Sequence, residues 1–79
     1  MKIHHSDLYT IQPGWYIVQW RSGLRSVIEI AIPALTHTNK RYVFTISGEI
    51  SINVFVVEAN YLWPLDIGDC KEKDAIEIF

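Results

Sequence analysis

A single cysteine, Cys70, stands in this 79-residue chain, so no disulfide can form within it. An unpaired thiol fits a reducing cytosol better than an oxidising compartment. Long hydrophobic runs are also missing. The longest nearly uncharged apolar stretch, residues 50–57, falls far short of the ~20 residues that span a bilayer. The first seven residues lack the apolar segment of a secretory signal. Repeats and low-complexity segments are absent as well. Charge is sparse, at 20% of residues against 49% apolar, which is the balance of a folded chain and not of a disordered one. These absences lead to the expectation of one soluble cytoplasmic domain over residues 1–79, with no membrane partner. Domains this small are marginally stable and often gain from a metal or a second subunit.

The net charge of −2 disfavours a general nucleic-acid binder. The charge is unevenly distributed. Residues 1–45 carry Lys2, Arg21, Arg25, Lys40 and Arg41 against Asp7 and Glu29, a balance of +3. Residues 46–79 carry Lys71 and Lys73 against seven acids, a balance of −5. A molecule with one basic and one acidic side is suited to steering a charged partner.

What the chain does have is period-two alternation. Trp15-Tyr16-Ile17-Val18-Gln19-Trp20 is aromatic and β-branched, a composition that fits a pleated surface. Arg21-Ser22-Gly23 reads as a turn, after which Ile28, Ile30 and Ile32 share one face with Leu24, and Arg25 and Glu29 take the other. Pro33 ends that strand and residues 33–40 read as a loop. Tyr42, Phe44 and Ile46 alternate next, Ser47-Gly48 signals a tight turn, and residues 49–58 read as a further strand, apolar on both faces from Val54 onward. Such a strand is covered on both sides or presents an interface. Pro64 predicts an edge or an irregular crossing, residues 66–69 a turn, residues 71–75 a helical turn, and residues 75–79 a short closing strand. The expected fold is mostly β: a small antiparallel barrel, SH3-like or OB-like, or a strongly bent sheet of four to six strands. The alternative is an open four- or five-stranded antiparallel sheet that dimerises through its exposed apolar face.

Catalytic constellations are missing. Cys70 lies beside Asp69 and Glu72, whose negative charges do not suit an activated nucleophile. His4 and His5, if adjacent in a strand, point to opposite faces and do not ligate one ion together. The acids at 66, 69, 72 and 74 lack the spacing of a calcium loop. Gly48 and Gly68 are isolated turn residues, not a phosphate cradle. No enzyme, metal or cofactor is therefore expected.

Binding residues are plentiful. Three Trp and four Tyr are many for this length, and Trp, Tyr and Arg dominate interface energetics. The odd spacing of Trp15 and Trp20 puts them on opposite faces of one strand. The first hairpin thus offers Trp20, Arg21 and Arg25 as a partner-binding patch. The acidic stretch with Asp66, Asp69, Glu72 and Asp74 is a second candidate, able to compete for a basic channel on a target. Phe55 and Val57 are candidates for self-association into a homodimer. A single-stranded nucleic-acid surface would use Trp20 and Tyr42 with Arg21, Arg25, Lys40 and Arg41, but four bases supply few phosphate contacts.

The segment Pro13-Gly14-Trp15-Tyr16-Ile17-Val18-Gln19-Trp20, with Trp63-Pro64-Leu65 much later, resembles short bacteriophage and prophage accessory proteins. These open on a glycine-aromatic strand and close with a tryptophan-proline corner. The chain departs from the pattern in having no Gly between Trp63 and Pro64, and in its longer apolar stretch over residues 50–57. The resemblance implies a stoichiometric inhibitor that occludes a host protein or complex, of the anti-CRISPR or other anti-defence type.

Overall fold

The aromatic stretch after Pro13 forms strand β2 (Gly14–Trp20), which turns back into β3 (Arg25–Ala31) as the alternation requires. The turn is closed by the Gly23 N–H donating to Trp20 O at 2.8 Å and the Trp20 N–H donating to Leu24 O at 2.8 Å. Gly23 has φ +94°, in the region that side chains disfavour, which is why glycine stands there. The same hairpin logic joins β4 (Tyr42–Thr45) to β5 (Gly48–Ile50). Three further strands complete the sheet: β1 (Lys2–Ile3), β6 (Ala59–Pro64) and β7 (Ile76–Ile78). This computed structural model describes residues 1–32, 39–67 and 70–79. The loop expected over residues 33–40 therefore lies mostly outside the described residues.

Among the described residues the strands run in the order β1-β7-β6-β2-β3-β4-β5. All neighbours are antiparallel except β1 and β7, which pair in parallel. The fold is mostly β, as expected, but its sheet is mixed, open and seven-stranded, which corrects the expected antiparallel barrel and the count of four to six strands. Its two edges, β1 and β5, are only two and three residues long, so neither offers a ladder on which the sheet could close. The long strand that might have closed it does not form.

Residues Ile52–Glu58 are instead a helix, α1, a second correction. The Ser51 side chain accepts from the Asn53 N–H at 3.1 Å and caps its start. Ile52, Phe55 and Val56, at positions i, i+3 and i+4, are its buried face. Valine and isoleucine disfavour helix by only about half a kcal/mol each, while burying one large apolar side chain gains about 2 kcal/mol. Packing therefore overrides propensity. A helical stripe at i, i+3 and i+4 puts apolar residues on both faces of a period-two pattern, which is why the stretch resembles a two-faced strand.

The core lies between one sheet face and a cover made of α1 and a 3-10 turn, His5–Thr10. Tyr16 and Val18 of β2, Ile28 and Ile30 of β3, Val43 of β4 and Leu62 of β6 meet Ile52, Phe55 and Val56 of α1 and Leu8 of the turn. Trp20 closes one end, its ring edge-on to Phe55 at 5.8 Å. Phe55 has no exposed surface, whereas Val57 is 56% exposed, so the two do not share an association surface. The helical twist separates them.

Pro64 is neither on an edge strand nor in an irregular crossing. It ends β6, an interior strand, paired with Tyr16 on one side. On its other side β7 reaches only Tyr61 and Leu62, so no partner strand needs the missing N–H. His4 and His5 lie at the start of the 3-10 turn rather than along a strand, and their rings stand 4.1 Å apart. The expected helical turn near residue 73 is present as Glu72–Asp74, and the closing strand as β7.

Candidate functional site

The face of the sheet turned away from α1 is built by the odd-numbered residues of β2 and their cross-strand partners. Register places Trp15 opposite Glu29, Ile17 opposite Val27, and Gln19 opposite Arg25. On the far side of β3, Phe44 is opposite Glu29. On the far side of β2, Trp63 is opposite Ile17, and Tyr61 opposite Gln19. Paired residues share a face, so these side chains form rows across the sheet.

One end of this face is covered. Trp63 is fully buried, although its strand neighbour Leu62 points into the main core. Its indole N–H donates to the Lys71 carbonyl at 2.8 Å, Tyr61 packs beside it at 6.0 Å, and the Arg25 guanidinium stands over it at 4.6 Å. Arg25 also donates to the Gln19 side chain at 2.9 Å and to the Cys70 carbonyl at 3.2 Å. The polar stretch after β6 is thus pinned onto the sheet through its backbone.

The other end is open. Trp15 is 54% exposed, and Val27, Phe44 and Leu65 are exposed around it. Beyond Trp15 lies a shallow, largely apolar cleft of about 560 Å³, lined by Pro13, Trp15, Pro64 and Leu65, with Asp66 among its walls. The three tryptophans differ in one decisive respect. Trp20 donates its indole N–H to Ser26 Oγ at 2.9 Å and Trp63 donates to a carbonyl. Trp15 makes no indole hydrogen bond among the described residues.

The sequence-based candidates are scattered by this arrangement. Trp20 is partly buried on the core side. Arg25 is on the opposite face, over Trp63. Arg21 is drawn to the end of α1, its Nε donating to the Val57 carbonyl at 2.9 Å and its backbone N–H to the Glu58 carbonyl at 2.8 Å. Arg41 is likewise engaged with backbone carbonyls of Ile11, Thr10 and Asn39. Asp66 lines the cleft, Glu72 and Asp74 are exposed on their 3-10 turn, and Asp69 lies outside the described residues. Sequence reasoning passed over Trp15 in favour of Trp20. The odd spacing showed that one of them is outside but not which.

Among the described residues, no three His, Cys, Asp or Glu side chains gather in a way that could hold a metal ion. Nor is any helix there long and apolar enough to cross a membrane. No family model matches the chain, and no curated protein or solved structure matches it at a significant level.

Proposed function

We propose that this chain is a non-enzymatic protein-binding module that inhibits a host complex by covering part of its surface with the open sheet face around Trp15. The observation that carries the reading is the state of Trp15: half exposed, its N–H unused within the described residues, and beside an apolar cleft. Aromatic anchors of this kind, set among apolar neighbours, carry much of the energy of protein interfaces. The resemblance of residues 13–20 and 63–65 to phage and prophage accessory proteins supplies the host context and the anti-defence role. Engagement of Arg21, Arg25 and Arg41 by carbonyls of the chain itself weighs against a nucleic-acid groove, which needs such cations turned to phosphates.

The test is a tagged pull-down from bacterial lysate, with and without nuclease, using the wild type, Trp15→Ala and Val54→Asp. Val54 is exposed on α1, on the other side of the sheet. One host complex held by the wild type and by Val54→Asp, and lost with Trp15→Ala, is the expected result. Equal capture by all three, or capture that disappears with nuclease, overturns the reading.

A further inference from the structure

The row Trp15–Glu29–Phe44 crosses three adjacent strands of the open face, a carboxylate between two exposed aromatic rings. Strands lie about 4.8 Å apart, so the backbones bearing the two rings are separated by about 10 Å, with Glu29 midway. A cation seated over Glu29 would therefore stand within roughly 6 Å of either ring, the reach of a cation–π contact. Glu29 is a partly buried residue and makes no ion pair among the described residues.

The rows on either side show how this face treats positive charge. Arg25 stands over Trp63 at 4.6 Å, and Lys40 stands over Tyr42 at 5.4 Å. Among the described residues, the middle row has two rings and an acid and no cation of its own. We propose that Glu29, flanked by Trp15 and Phe44, seats a lysine or arginine side chain of the protein partner. The apolar residue next to that side chain packs in the cleft at Pro13, Pro64 and Leu65, where Asp66 adds a second negative charge. Charge complementarity selects the occupant: an uncharged apolar segment would bury the Glu29 carboxylate unpaired, which is costly. This inference rests on the reading of the open face as a protein-binding surface and adds the chemistry of the partner.

The experiment is an NMR titration of the full chain with N-acetyl-lysine amide and, in parallel, with its uncharged counterpart N-acetyl-norleucine amide. The Trp15 indole N–H and the Glu29 and Phe44 amides are followed. The lysine probe is expected to shift these signals saturably, with an affinity about tenfold above that of the norleucine probe. Glu29→Gln, which keeps shape and removes charge, brings the two probes to equal affinity. Equal response of the wild type to both probes, a difference that survives in Glu29→Gln, or no saturable shift at all overturns the cation seat. Loss of host capture in Trp15→Ala alongside any of those results leaves the binding face standing and removes only the seat, so the two readings fail separately.

Discussion

The guanidinium of Arg25 stands 4.6 Å over the ring of Trp63, a tryptophan with no exposed surface, and the same arginine donates to the Cys70 carbonyl. A surface arginine thus acts as a clasp, tying the segment after β6 to the hairpin. Arg25→Ala is expected to destabilise the fold by about 1–2 kcal/mol through the lost ring and carbonyl contacts. Chemical denaturation measures the loss, and hydrogen exchange should quicken first at residues 70–75. Arg25→Lys should recover only part of it, because an ammonium cannot serve the ring, Gln19 and the carbonyl in one planar fork.

Trp15 and Trp63 should respond in opposite ways to truncation. Trp63→Ala empties a fully buried site and is expected to cost about 3–5 kcal/mol. Trp15→Ala removes a half-exposed ring and should cost less than about 1 kcal/mol. Urea midpoints of the two variants check this. A Trp15→Ala protein as unstable as Trp63→Ala would make Trp15 a packing residue and not an anchor.

The helical assignment of α1 carries its own prediction. Ser51→Ala removes the cap on the Asn53 N–H and should cost about 1 kcal/mol. Phe55→Ala should cost about 3–5 kcal/mol, and Val57→Ala less than about 1 kcal/mol, since only the former is buried. A strand over residues 51–58 would give Phe55 and Val57 the same face and similar costs. Thermal unfolding of the three variants separates the cases.

Tyr16 sets an alkaline limit. The residue is buried, its part-buried hydroxyl donates to the Gln12 carbonyl at 2.6 Å, and burial raises its pKa above the ordinary value. In the unfolded chain the phenol ionises near pH ~10, while in the folded chain it still holds its proton there. Its contribution is therefore complete below that pH and is lost as pH rises through the folded value. Tyr16→Phe should lower stability by about 1 kcal/mol at neutral pH and flatten the decline above pH ~10. Denaturation midpoints against pH would show both effects, and an unchanged alkaline slope would remove Tyr16 as its source.

Sequence alone determined the elements whose reasons are local. The alternation over residues 14–31 with Gly23 between its halves makes the β2–β3 hairpin, because pleat period and turn chemistry act over a few residues. The short closing strand at Ile76–Ile78 and the turn at Glu72–Asp74 were legible for the same reason. So was the placing of Trp15 and Trp20 on opposite faces. Tertiary structure decided what depends on cover. Residues 52–58 became a helix because the sheet offered an apolar face that Ile52, Phe55 and Val56 could bury together, a gain larger than their β propensity. With those residues taken, the sheet stayed open, and α1 and the turn His5–Thr10 covered the face holding Trp20. On the other face, backbone carbonyls at positions 70 and 71 secured Arg25 and Trp63, leaving Trp15 and Phe44 exposed and Glu29 partly so. Pattern assigns side chains to faces, but which face is left open is set by segments distant in the chain that dock on the sheet.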